Sequence, residues 1–233
     1  MQYREQPPSR ALAPWVVCTW ERSDGGGEPV RVLPDGCIDI VWTQDQGATV
    51  VGPNTTAFVV ELASSAHVVG VRMRPGAAPP LLGIDAAALR DGRIALHELW
   101  GDDGLWLAER LGESADRAGT LLAALAPRAA AAGGPDPLVQ AAIARLHDGA
   151  PPVRDLAGEL YVSERQLRRR FGSAVGYGPK LLARVLRLER ALAVARGGEQ
   201  LAHVAAGAGY ADQAHFAGDC RELAGLPPSA LLA

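Results

Sequence analysis

Two hydrophobic rhythms divide the chain. Over the first hundred residues, short runs rich in Val, Ile, Trp and Thr alternate with Gly, Pro, Asp and Asn. Residues 13–21, 30–33, 37–43, 48–51, 57–62 and 67–74 read as strands. The turns between them fall at Asp24-Gly25-Gly26-Gly27, Pro34-Asp35-Gly36, Gly52-Pro53-Asn54 and Pro75-Gly76. Along 37–42 the period of two puts Ile38, Ile40 and Trp42 on one face and Cys37, Asp39 and Val41 on the other; Arg72 and Arg74 likewise share a face. Short strands at near-regular spacing predict a barrel or roll rather than a βαβ sheet. Past residue 79 the period lengthens. Residues 79–82, 86–89, 105–111 and 120–125 look helical, and 96–100 fits a strand or a short helix. Such helices either pack between subunits or cover the open end of the sheet. The run 127–135, with four alanines and Gly133-Gly134, reads as a linker. Taking it as 129–135 leaves a front domain of 1–128.

From residue 136 the pattern is helical throughout. Asp136-Pro137 supplies an N-cap and a first-turn proline, Val139, Ala142, Ile143 and Leu146 a stripe, and Gly149 a stop. Val153, Leu156, Ala157 and Leu160 then stripe a second helix, and Tyr161-Val162-Ser163 turns the chain. Ser163 with Gln166 is a capping box, since each side chain can satisfy a backbone N–H that a helix start leaves unpaired. Leu167 and Phe171 point to a core, while Arg165, Arg168 and Arg169 fall on the opposite side. An apolar back and an arginine front, entered through a tight turn, suit a helix lying in a DNA major groove. Residues 180–196 form one helix, with Leu181, Val185, Leu188 and Leu192 on one side, Arg184, Arg187 and Arg190 on another, and Gly197-Gly198 as its stop.

The unit then repeats. Leu167, Phe171, Gly176 and Pro179 recur 49 residues on as Phe216, Cys220, Gly225 and Pro228, and Ala157 recurs as Ala205 after 48. Residues 201–208 form the second supporting helix, Gly209-Tyr210-Ala211 the turn, and Asp212 the N-cap. The two units span about 152–172 and 201–223. The helix between them is about 25 Å long at helical rise, the order of length needed to set two reading helices into successive major grooves about 34 Å apart.

Residues 136–233 resemble the DNA-binding region of the AraC/XylS family of bacterial transcription regulators. The resemblance is carried by Ser163-Glu164-Arg165-Gln166-Leu167-Arg168-Arg169-Arg170-Phe171, by Gly176-Tyr177-Gly178-Pro179-Lys180, by Gly209-Tyr210-Ala211-Asp212-Gln213-Ala214-His215-Phe216 and by Gly225-Leu226-Pro227-Pro228. It implies an α+β chain in which a mainly-β sensor domain precedes an all-α domain of two helix-turn-helix units joined by a linker helix. Base contacts are expected from Arg165, Arg168, Arg169 and Gln213. Phosphate contacts are expected from Arg154, Lys180, Arg184 and Arg187, and from the helix N-termini at Ser163 and Asp212. In one respect the chain departs from the pattern. Where the family has a small polar residue, a basic residue and a later core Phe, this chain has Ala217, Gly218, Asp219 and Cys220. That leaves an alternative in which the second unit contacts a protein instead of DNA. The segments around Leu33-Pro34-Asp35-Gly36-Cys37-Ile38-Asp39 and Val71-Arg72-Met73-Arg74-Pro75-Gly76-Ala77 resemble an uncharacterised amino-terminal domain often fused to such regions.

Charge agrees with a sensor joined to a DNA reader. The net charge of −3 hides 11 basic against 16 acidic residues up to Pro135, and 12 against 10 beyond it. Three distant cysteines suit a reducing compartment. The five histidines form no metal-ligand spacing, and no cofactor or metal motif is present. No signal pattern or membrane-length apolar run occurs, so a soluble, cytoplasmic protein is expected. Enzyme readings fail: there is no GxSxG and no GxxxxGK[ST]. A methyl-transfer repair role would need four cysteines in the front domain, where only Cys18 and Cys37 stand. A small effector in the front domain would meet Trp20, Cys37, Asp39, Trp42 and Arg72. The partners expected are duplex DNA, RNA polymerase, a small effector and a second copy of the chain.

Overall fold

The computed structural model describes residues 2–23, 29–61, 67–149 and 151–232. The turn predicted at 24–27 and the end of the strand predicted over 57–62 lie outside them. Among the described residues eight strands form: β1 (Gln2–Gln6), β2 (Val16–Ser23), β3 (Val30–Val32), β4 (Ile38–Thr43), β5 (Gly47–Val51), β6 (Phe58–Val60), β7 (His67–Met73) and β8 (Arg93–Ala95). Six of them make one antiparallel sheet in the order β1-β2-β7-β4-β5-β8, and β3 pairs with β6 separately. Among the described residues β1 and β8 do not pair with each other, so the roll is open. These two edge strands are the ones the alternation did not announce. They are short, and the exposed Tyr3, Arg4, Glu5 and Gln6 give β1 no apolar period.

The alternation in β4 is realised as read. Ile38, Ile40 and Trp42 are buried, and Asp39 stands on the other face. Val50, Val69, Val71 and Met73 extend the buried face across β5 and β7. Helices α1 (Pro79–Leu82), α2 (Ala86–Leu89), α3 (Leu96–Trp100), α4 (Asp102–Glu113) and α5 (Arg117–Ala132) follow, with α4 and α5 covering that face. Trp42 belongs to this core: its Nε1 donates to the Ala108 carbonyl at 3.2 Å, and the Arg117 guanidinium lies 5.0 Å from its ring centre. The predicted linker is shorter than read. Residues 129–132 continue α5 through Pro127, because Ala129 is buried against the sheet core and alanine favours the helix. Arg128, stacked 3.9 Å over Trp100 and paired with Asp103 at 2.9 Å, holds the same turn. Gly133, at φ 74°, ends it.

The remainder is helical: α6 (Pro137–Asp148), α7 (Val153–Glu159), α8 (Glu164–Val175), α9 (Pro179–Ala195), α10 (Leu201–Gly207), α11 (Gln213–Asp219), a π turn at Cys220–Ala224, and α12 (Pro228–Leu231). Helix α9 serves two cores. Leu182 and Leu186 join α6, α7 and α8, whereas Val185, Leu188 and Leu192 join α10, α11 and the π turn.

The strand-rich and helical parts touch along a continuous seam. Gln140 Nε2 donates to the Pro75 carbonyl at 3.1 Å, Ser173 Oγ to Asp85 at 2.5 Å, Ala57 N to Leu223 O at 2.7 Å and Arg31 to Ala224 O at 3.2 Å. A Cβ on Gly36 would stand 2.7 Å from Leu182, and one on Gly76 3.0 Å from Val139, so small residues set the approach. Gly70 does the same inside the sheet, under the indole of Trp20. Its Cα hydrogen faces a ring that a methyl group would overlap. Gly70→Ala is expected to destabilise the fold by about 1–3 kcal/mol and to displace Trp20 from Asp39. Thermal unfolding and tryptophan emission check this.

Candidate nucleic-acid interface

Helix α8 starts as its capping box requires. Ser163 Oγ accepts from Gln166 N at 3.2 Å, and Gln166 Oε1 accepts from Ser163 N at 3.0 Å. Gly176, at φ 95°, closes the other end. Leu167, Phe171 and Val175 are buried, which turns Arg165, Arg168 and Arg169 outward. Among the described residues Arg168 is tied only to Glu164, one turn back, at 3.1 Å. Arg154 at the start of α7 and Lys180 at the start of α9 are exposed and form no ion pair among the described residues.

The two turns are built alike. Val162 N donates to Ala157 O at 3.0 Å, and Tyr210 N to Ala205 O at 2.9 Å. Each turn needs one residue at positive φ. The second unit uses Gly209, at φ 82°, and the first uses Tyr161, at φ 55° and 95% exposed. In the second unit Asp212 caps α11 by accepting from His215 N at 2.7 Å. Phe216 is buried, and Gln213, Ala214, His215 and Gly218 are exposed.

Asp219 is not part of the reading face. Only 5% exposed, it accepts from Arg184 at 2.8 and 3.2 Å and from Arg187 at 2.8 Å, both on α9. Burial alone would raise its carboxyl, but the two guanidiniums outweigh that and hold it below the usual carboxylate range. Arg187 also stacks 4.2 Å over Tyr210. Arg184 spans to Glu222 as well, at 2.9 and 2.6 Å. Arg184 and Arg187, expected to meet phosphates, are both engaged by Asp219 here, with side chains 25% and 17% exposed. A buried carboxylate at this depth requires such partners. At the matching position of the first unit the polarity is reversed. Arg170 donates to Asp136, the cap of α6, at 2.8 and 2.5 Å. The shift of 49 that aligns the units puts residue 170 opposite 219. Between the units lies a cleft of about 720 Å³, floored by α9 and open to solvent.

The front-domain residues split. Trp20, Asp39 and Arg72 meet on the outer face of the sheet: Trp20 Nε1 donates to Asp39 at 3.2 Å, and Arg72 lies 3.3 Å from Asp35 and 3.4 Å from Asp39. Cys37 adjoins them, its amide donating to Asp35 Oδ1 at 2.9 Å. Burial, with Asp35 adding to it and Arg72 opposing it, pushes the Asp39 carboxyl up to about 7, and burial raises the Cys37 thiol. Trp42 is not with them, because the strand period turns it into the core. The group lies at the seam, where the loop at Gly36 abuts Leu182 and Tyr177.

Two turn-linked helix pairs on one shared helix, one carrying an arginine face, make a tandem helix-turn-helix of the kind that binds DNA. Residues 156–233 match the model described as a helix-turn-helix domain, and residues 4–95 the model described as a domain of unknown function (DUF6597). A helix-turn-helix region thus follows that front domain. Among solved structures the chain is similar to ToxT from Vibrio cholerae O395, at 11% identity over 92% of this chain and 95% of that one, with a TM-score of 0.48. It is also similar to unsaturated fatty acid bound wild-type ToxT from Vibrio cholerae strain SCE256, at 13% identity over 92% and 93%, with a TM-score of 0.45. No curated protein sequence matches the chain. Among the described residues no helix is long and apolar enough to cross a membrane.

Asp219→Ala leaves two guanidiniums without their buried partner. The expected loss is at the lower end of about 3–5 kcal/mol, since both arginines retain some solvent. The pH dependence has a definite sign. A carboxyl whose folded pKa is depressed contributes stability above its unfolded pKa, near 3.9, and that contribution disappears as pH falls through the folded value. Asp219→Asn should therefore be less stable than the parent at neutral pH, and the gap should narrow below about pH 4. Urea unfolding across pH checks both.

Proposed function

We propose that the chain regulates transcription by reading duplex DNA sequence-specifically, with α8 as the principal reading helix and α11 as the weaker one. The observation that carries this reading is the outward arginine face of α8 on a rigid, doubly capped helix. Arg165, Arg168 and Arg169 contact bases, arginine being able to pair with guanine O6 and N7. Arg154, Lys180 and the helix starts at Ser163 and Asp212 meet phosphates. Gln213 is the base-reading side chain of α11, suited to adenine. A protein-contact role for the second unit had the Ala217-Gly218-Asp219 departure as its support, and of these three Asp219 is turned inward.

The front domain regulates this reader, through a small effector or a second copy of the chain. What supports this is the seam. The front domain touches the first unit through Asp85 and Ser173, and the second through Ala57 and Leu223. A ligand or partner that favours one arrangement of the seam biases both units together, changing promoter occupancy or contact with RNA polymerase.

Selection from randomised duplexes should return a motif that is strong on the half read by α8 and weaker, A/T-leaning, on the half read by α11. Arg168→Ala or Arg169→Ala should relax one or two positions of the strong half by about 1–3 kcal/mol each. Recovery of no motif from the parent protein would overturn the reading. A duplex spanning both halves should show a steeper salt dependence than one covering only the strong half, by about 0.9 per added phosphate contact.

A further inference from the structure

The cleft between the units is lined by Lys180, Arg184 and Arg187 of α9 and by His215, Asp219 and Glu222 from the second unit. Its two carboxylates have different jobs. Asp219 is buried and shared by two guanidiniums, so it joins α11 to α9. Glu222 is 64% exposed, and its one partner among the described residues is Arg184. An exposed carboxylate on the cleft rim adds little to stability. What it does is occupy the outer edge of the Arg184 fork with both of its oxygens, at 2.9 and 2.6 Å. A phosphate accepts from guanidinium in the same two-pronged way.

The position of the cleft fits such a ligand. Lys180 lies one helical turn before Arg184 on α9, exposed at the rim. A protein whose two reading helices enter successive major grooves of B-DNA passes, between them, over the sugar-phosphate backbone. We propose that this cleft is a seat for a DNA phosphate, and that Glu222 fills it in the free protein as a built-in competitor for Arg184. On binding, the phosphate replaces the Glu222 carboxylate at Arg184, while Asp219 keeps its grip on Arg184 and Arg187. Glu222 thereby lowers affinity for every duplex alike and leaves base preference unchanged. This rests on the DNA-reading function proposed above.

The test uses the full chain, the duplex recovered from selection, and fluorescence anisotropy at fixed salt. Glu222→Gln should bind about two- to fivefold more tightly than the parent, the range open to one exposed ion pair, with the same sequence motif and an unchanged melting temperature. In an Arg184→Gln background the gain should vanish, because the effect runs through that guanidinium. Glu222→Asp, which keeps the charge but is one methylene shorter, should show part of the gain. Unchanged or weaker binding by Glu222→Gln overturns the proposal. So does a gain that survives in Arg184→Gln or, where that variant does not fold, one absent from Glu222→Asp; either marks plain removal of a negative charge. If the parent protein binds no duplex, the DNA-reading function falls and the proposal with it. If the parent binds and Glu222→Gln does not differ, only the competitor role is lost.

Discussion

A carboxylate buried at a joint between helices has to be answered by cations, and the helical half of this protein is arranged around that requirement. Asp219 ends α11 facing α9, and Arg184 and Arg187, one turn apart, close on it from below. The pair fixes where α11 sits along α9. It also draws in Tyr210, whose ring lies under Arg187 and against Phe216, 5.2 Å between ring centres. The small side chains around this joint follow from it. Cys220 is fully buried where the first unit has Phe171, and the backbone passes from α11 into a π turn that carries Leu223 and Ala224 to the second core. Since Leu182 and Leu186 of the same α9 belong to the first core, the joint sets the relation between the two reading helices.

The front domain reaches this assembly by close approach rather than by a wide apolar face. Gly36, Gly76 and Gly176 each stand where a side chain would press on the other half: Leu182, Val139 and Pro53 respectively. Backbone groups do much of the bonding, as between Ala57 and Leu223. Contacts of this kind depend on position more than on buried area, so a shift of the loops at 53–58 or 75–77 acts on the helical half directly.

The sequence disclosed most where a local rule decides the outcome. The capping box at Ser163, the cap at Asp212 and the alternation along β4 are all set by neighbours in the chain, and all are present as read. It was silent where the deciding partner is distant. Nothing near Asp219 announces Arg184 and Arg187, which lie 35 and 32 residues away. An acidic residue on a reading helix therefore looked like a lost DNA contact. Trp42, expected among the effector residues, lies on the core face that the alternation along β4 already marks. The alanines at 129–132 looked like a linker by composition, and the burial of Ala129 made them helix. Edge strands β1 and β8 had no apolar period to give them away.

The reversed polarity at residues 170 and 219 has a consequence for how the chain finds its native form. Two similar units in tandem can each dock on the other's support, a failure to which repeated elements are prone during folding. Here the exchange is penalised. Docking α11 on α6 would bring Asp219 to Asp136, and docking α8 on the middle of α9 would bring Arg170 to Arg184 and Arg187. Both wrong pairings set like charges together, while both native ones join opposites. The ion pairs thus act as addresses, so that two helices of one design are sorted to two different places.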